Sequence, residues 1–198
     1  MNSLAQRILE YASQMTEGAP LSAKGLLHLS KRAAVDQALS RLGRRGVLIR
    51  AGRGVYVRPV ESQFGRRAPM SGKVVQGLAA QRGEIVVPHG AAVANSLGLT
   101  TQVPTREVYL TSGRSRKLHL GAQIVELRHA PNWQLVHSSP RAGNVVRALA
   151  WIGPEKAGEA IQALRSKLSP EEMTEIAEMR PRLPGWMAQR VSELVQHA

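Results

Sequence analysis

Side chains able to do covalent or metal chemistry are scattered thinly along this 198-residue chain. His89, His119, His129 and His137 stand in one stretch with Glu107, Glu126 and Ser112. These residue types can ligate a metal, move a proton or attack a carbonyl, but each task needs a particular spacing. A helical metal pair such as H-E-x-x-H, or a nucleophile elbow G-x-S-x-G, holds its groups at fixed offsets, and neither pattern occurs. Asp36 is the only aspartate, whereas a two-metal site for phosphoryl chemistry needs several clustered carboxylates. With no cysteine in the chain, disulfides and thiolate metal sites are excluded. An isolated histidine on a strand or loop more often fills surface or core than holds an ion. The sequence therefore predicts no catalytic residue, no metal site, no cofactor and no enzyme.

Positive charge is what the chain has in abundance. Lys and Arg number 27 against 14 Asp and Glu, a formal charge of +13. Residues 1–82 hold 14 basic and 4 acidic side chains, while residues 83–198 hold 13 and 10. Such an imbalance points to a polyanionic partner for the N-terminal part. A membrane surface fits less well, because no long amphipathic helix sets basic residues opposite Trp, Phe or Leu.

The cations are also patterned. On a helix from about Lys31 to Leu42, Ala34, Val35, Ala38, Leu39 and Leu42 share one apolar face. The other face presents Ala33, Asp36, Gln37, Ser40 and Arg44, flanked by Arg32 and Arg41. A short polar face edged with arginine can enter a major groove ~12 Å wide and read base edges. Arg50, Arg53 and Arg58 follow in a predicted hairpin, with Arg53 between two glycines at its tip, suited to a phosphate or a narrow minor groove. Arg44 and Arg45 lie between the two elements, where a phosphate is expected. The expected DNA-binding set is thus Lys31, Arg32, Gln37, Ser40, Arg41, Arg44, Arg45, Arg50 and Arg53. Further along, Gly113-Arg114-Ser115-Arg116-Lys117 lacks the GxxxxGK[ST] phosphate-loop pattern. It reads as an exposed basic turn whose Arg114, Arg116 and Lys117 can add nucleic-acid contacts.

The elements that position these residues are legible from periodicity and breakers. Leu4, Ile8, Tyr11, Ala12 and Met15 predict a first helix over 3–15, and Ser22 starts a short second one. Gly43 and Gly46 stop the third. Val47–Arg50 and Val55–Arg58 are β-prone runs joined by Ala51-Gly52-Arg53-Gly54, a tight hairpin. Three helices followed by a hairpin is the order of a winged helix-turn-helix. The expected class is therefore α+β: an N-terminal winged helix-turn-helix over 1–60, a linker or domain edge over 61–72, and a mixed α/β domain with a helical C-terminal part over 73–198. In that second domain we expect a helix over 73–81, strands near 84–87, 107–110, 117–120 and 123–128, and a helix over 90–97. Helices over 144–152, 155–168, 171–179 and 186–196 follow, separated by prolines.

Specific strings add to this. SKRAAVDQALSRLGRRGVLIRAGRGVYVRP resembles the N-terminal domain of the AbiEi-type antitoxins of type IV, abortive-infection toxin–antitoxin systems. The resemblance continues through VPHGAAVANSLGLTTQVPTREVYLTSGRSRKLHL, IVELRHAP and NVVRALAWIG, covering roughly residues 5–153. It is strongest at Arg32–Leu42, Gly52–Tyr56 and Pro104–Thr111. It implies an antitoxin that counteracts a neighbouring nucleotidyltransferase toxin without needing a stable complex. It also implies repression of its own operon through repeated promoter sequences, with the reading role on Arg32, Gln37, Ser40, Arg41, Arg44 and Arg53. The short C-terminal tail departs from the family, which makes neutralisation the weaker transfer.

The expected partners are double-stranded DNA at the chain's own promoter and, functionally, that toxin. A homodimer on paired half-sites fits such repressors. Two other functions fit the residues: a transcription regulator without antitoxin activity, and a module that sequesters a toxin by direct contact. No signal peptide and no apolar run near the ~20 residues of a membrane span is present, so the expected location is the cytoplasm.

Overall fold

The computed structural model describes residues 3–135 and 139–195. It is a mixed α+β protein that divides into two compact units. The first joins Met1–Glu84 to Arg116–Leu127, and the second joins Ile85–Ser115 to Arg128–Ala198.

In the first unit, α1 (Leu4–Gln14) begins in a capping box. The Ser3 hydroxyl accepts from the Gln6 N–H while the Gln6 side chain accepts from the Ser3 N–H, satisfying two of the free amides that every helix start carries. A single 3-10 turn at Lys24–Leu26 stands where a second helix was expected. Ser22 still accepts from the Gly25 N–H, at 3.4 Å. α2 covers Arg32–Arg44. Gly46, at φ +70°, ends it: its N–H bonds Gly43 O and the Val47 N–H bonds Leu42 O, the reciprocal pair of a Schellman stop. Val35, Ala38, Leu39 and Leu42 pack with Ile8, Ala12, Leu21, Leu26, Leu48 and Tyr56 into one core.

β1 (Ile49–Gly52) and β2 (Val55–Val57) form the expected antiparallel hairpin, with a register irregularity between Arg50 and Gly52. The stretch read as a linker or domain edge holds a second hairpin, β3 (Val60–Ser62) with β4 (Gly65–Arg67). Its turn is braced by Ser62, whose hydroxyl donates to Gly65 O and accepts from the Phe64 N–H. Phe64 stands at the tip, 91% exposed. α3 (Ser71–Arg82) follows. The unit is completed from far along the chain by β7 (Arg116–Leu120), paired with the first part of β8 (Gln123–His129) across Gly121-Ala122.

The second unit contains β5 (Val86–Pro88), antiparallel to β6 (Glu107–Thr111), and α4 (Gly90–Ser96). α5 (Asn132–Leu135), α6 (Pro140–Ile152), α7 (Ala157–Arg165), α8 (Pro170–Glu178) and α9 (Gly185–Val195) make its helical part. These helices end close to where prolines and serines predict. Ser139 and Ser169 cap α6 and α8, each with proline at the first turn. Their core is aliphatic: Val145, Val146, Leu149, Ile161, Leu164, Ile176, Met187, Val191 and Leu194 among others. α4 lies against α6 so closely that a Cβ at Gly90 would sit 2.2 Å from Arg147 O. Arg147 itself is 3% exposed, held by Gln134 O at 3.1 Å and Asn144 Oδ1 at 2.6 Å. Burial lowers its pKa to about 10, so it remains charged at neutral pH.

Glu17 fastens the first unit across a long stretch of sequence. Its carboxylate accepts from Lys73 Nζ at 2.5 Å, from the Met70 N–H at 3.0 Å and from Arg67 Nη1 at 3.4 Å. The Lys73 hydrogen bond, then that from Met70, lowers its pKa from 4.5 to about 2. A carboxylate depressed on folding stabilises fully above its unfolded value, and that stabilisation fades as pH falls through the folded one. Urea unfolding followed against pH should therefore show stability declining between about pH 4.5 and about pH 2. Glu17→Gln should be less stable at neutral pH and show a shallower decline over that window.

Candidate nucleic-acid interface

α2 is positioned by what it buries. Gly43 is required by the fold here, because a Cβ would meet the Tyr56 ring at 2.9 Å. Tyr56 in turn is tied by its backbone to Leu21, which accepts from the Tyr56 N–H at 2.9 Å and donates to Tyr56 O at 2.7 Å. The last turn of α2, the Leu21 bridge and β2 thus meet on one residue. With the apolar side of α2 fixed inward, Arg32, Gln37, Arg41 and Arg44 are exposed on it, with Lys31 and Arg45 exposed at its ends. Ser40 is half-buried, and so is Ala34, which was expected inside.

Arg32 pairs with Asp36 at 3.7 Å, one helical turn on, with both side chains largely exposed. A pair of this kind contributes ~0–1 kcal/mol, so it orients Arg32 without committing it. In the hairpin, Arg50 and Arg53 are exposed. Gly54 takes φ +68° with nothing within 4 Å of its would-be Cβ, leaving an open two-residue turn with Arg53 at its apex. The first unit carries 16 of the 27 Lys and Arg side chains but 6 of the 14 acids. The exposed cations of α2 and the hairpin can meet an anionic partner without first breaking a buried ion pair.

The three additional cations separate. Arg116 is only 17% exposed, and its guanidinium grips the Glu84 carboxylate at 2.5 and 3.2 Å. That is a structural ion pair, spanning 32 residues of sequence, for which no local signal exists. Lys117 is 62% exposed and lies 3.9 Å from Glu126. Arg114 belongs to the second unit. The β7–β8 hairpin backs the first one, since Leu118 Cδ2 lies 3.9 Å from a would-be Cβ at Gly52.

Four of the residues that looked fit for chemistry have partners within the fold. His89 caps α4, its Nδ1 accepting from the Ala91 N–H at 3.2 Å. Burial, then the nearby Arg128 charge, lowers its pKa. His129 Nδ1 lies 3.0 Å from Gly113 O, Ser112 Oγ accepts from the Ile85 N–H, and Glu107 accepts from the Tyr109 hydroxyl. His119 is exposed on β7, and His137 lies outside the described residues. Among the described residues no three His, Asp or Glu side chains gather to hold a metal, and no helix is long and apolar enough to cross a membrane.

Fold and surface together define a mixed α+β protein with one strongly cationic unit. The chain belongs to the family of unknown function DUF6088, which matches residues 7–176. No curated protein and no solved structure matches it.

Removing Arg116 should leave Glu84, 15% exposed, without its charged partner. Arg116→Ala is expected to lose about 1.5–3 kcal/mol in urea unfolding. Lys117→Ala should stay within about 0.5 kcal/mol of the parent; equal losses would overturn the division between them.

Proposed function

We propose that this chain binds double-stranded DNA, represses its own operon, and serves as the antitoxin of a type IV pair against a nucleotidyltransferase toxin. The DNA-binding half is carried by one observation. Lys31, Arg32, Gln37, Arg41, Arg44 and Arg45 are exposed together on α2 and its ends, and a hairpin with Arg53 at its apex follows directly. The order of α1, the Leu21 bridge, a short turn, α2 and the β1–β2 hairpin supports a winged helix-turn-helix, with α2 as the reading helix and the hairpin as the wing.

The chemistry follows from the side chains. A 13-residue helix is about 20 Å long and fits a major groove ~12 Å wide. Arg41 and Arg32 suit the paired acceptors of guanine, Gln37 the donor–acceptor edge of adenine, and Ser40 either. Lys31, Arg44, Arg45 and Arg50 suit phosphates, which fix register without reading sequence. Arg53 suits the backbone or a narrow minor groove. A homodimer on repeated half-sites would double this footprint. The antitoxin half rests on the sequence resemblance, and the second unit is its proposed seat.

Binding to the DNA just upstream of the gene, with scrambled competitor and a salt series, tests the first half. We expect sequence-preferring binding that weakens with salt as ~6–10 phosphate contacts dictate. Arg41→Ala should cost ~1–3 kcal/mol on the preferred site, and Arg53→Ala should weaken all sequences evenly. Variants that bind like the parent would remove α2 as the reading face. Co-expression with the neighbouring nucleotidyltransferase tests the second half, which is lost if growth stays arrested.

A further inference from the structure

The second unit holds a cleft of about 580 Å³ between the loop after α4 and the corner joining α6 to α7. That volume lies within the ~300–1,000 Å³ typical of small-molecule sites. Its walls are braced by hydrogen bonds and turns within the chain itself. Asn95 Nδ2 donates to both Thr100 O and Gln102 O, at 3.3 and 3.1 Å, and the Gln102 N–H donates to Thr100 Oγ1 at 3.1 Å. On the other side Gly153, at φ +83°, ends α6 and turns the chain into α7.

The lining combines two kinds of surface. Trp151, 38% exposed, lines the cleft together with Leu99 and Ile152. Glu155 and Glu159 bring two carboxylates to the same cleft, with Lys156 also on its wall. Among the described residues neither glutamate has a hydrogen-bond or ion-pair partner. In a chain with almost twice as many cations as anions, two carboxylates without an internal partner line this cleft together with one lysine and an exposed tryptophan. Carboxylates accept charge-assisted hydrogen bonds from ammonium or guanidinium groups, and an indole face attracts a cation or stacks on a planar ring.

We infer that this cleft binds a small organic cation, an amine or guanidine joined to an aromatic or apolar body. The body lies against Trp151, Leu99 and Ile152, and the cationic head meets Glu155 and Glu159. Such a site gives the second unit a ligand input. It is independent of the nucleic-acid reading, because all of its residues lie outside the first unit.

Phenethylamine is a suitable probe, titrated into the full-length protein with phenethyl alcohol and 3-phenylpropionate as neutral and anionic matches. The readout is the Trp151 indole resonance in a nitrogen-15 spectrum, identified by its loss in Trp151→Phe and separable from Trp133 and Trp186. We expect saturable movement of that resonance with phenethylamine and at least about tenfold weaker binding of the alcohol. The carboxylate should produce no saturation. Glu155→Gln with Glu159→Gln should weaken phenethylamine by about tenfold or more, and Ala163→Phe, which fills the cleft from an exposed position, should abolish the response. These positions are exposed, so an unchanged spectrum elsewhere certifies the fold. The inference falls if Trp151 does not respond saturably, if the carboxylate binds as well as the amine, or if the glutamate pair can be neutralised without effect.

Discussion

Tyr56 is the residue on which the first unit turns. Both its backbone groups bond Leu21, its ring fills the space that Gly43 leaves open, and its strand forms one side of the hairpin that carries Arg53. Three separate pieces of chain are thereby held to one another: the segment before the 3-10 turn, the end of α2, and the hairpin. The constraint is steric as much as hydrogen-bonded. A Cβ at position 43 would meet the Tyr56 ring at 2.9 Å, so either the buried ring or the last turn of α2 would have to shift. A proposed reading surface made of flexible arginines thus depends on a backbone arrangement with very little slack.

The arginines themselves fall into two populations. Those on α2 and the first hairpin reach into solvent, where a counter-charge is easily exchanged. Arg116, Arg67 and Arg147 are engaged by Glu84, by Glu17, and by a carbonyl with an amide oxygen, respectively. The net charge of the chain describes neither population well. What matters for a polyanion is which cations are exposed and not held by a buried partner, and these concentrate in the first unit. The second unit, nearer balance, spends its polar groups on helix caps and on the cleft beside Trp151.

Much of this was legible in the sequence. The apolar stripe of α2 apart from the half-buried Ala34, its Gly46 stop, the Gly-Arg-Gly turn, and the proline-punctuated helices after residue 140 are local signals that the fold follows closely, although α2 runs through Gly43, read as a stop, to Arg44. The β7–β8 hairpin across Gly121-Ala122 was equally readable. Less of the tertiary arrangement was. Where a second helix was read, only Ala23 and Leu26 are buried while Leu27, expected inside, is 50% exposed, and the chain makes a single 3-10 turn. Residues 60–67 closed into a hairpin through the Ser62 hydroxyl, although no apolar alternation announced one. Arg116 looked like a solvated cation because its partner Glu84 is 32 residues distant, and the cleft is assembled from segments some 50 residues apart. Long-range pairing leaves no periodic trace.

The first unit is not a continuous stretch of polypeptide: its last strands arrive only with Arg116–Leu127, after a 31-residue excursion into the other unit. On a ribosome elongating at ~5–20 residues per second, the stretch from Glu84 to Leu127 takes roughly 2–9 s to emerge. During that interval the residues of α1, α2 and the first hairpin have been synthesised while Glu84 lacks Arg116 and the back of β1 lacks Leu118. The nascent chain therefore carries its cationic segment before the strands that complete the unit have been made. Folding of this unit is completed by synthesis of a segment that a cut at the end of α3 would remove.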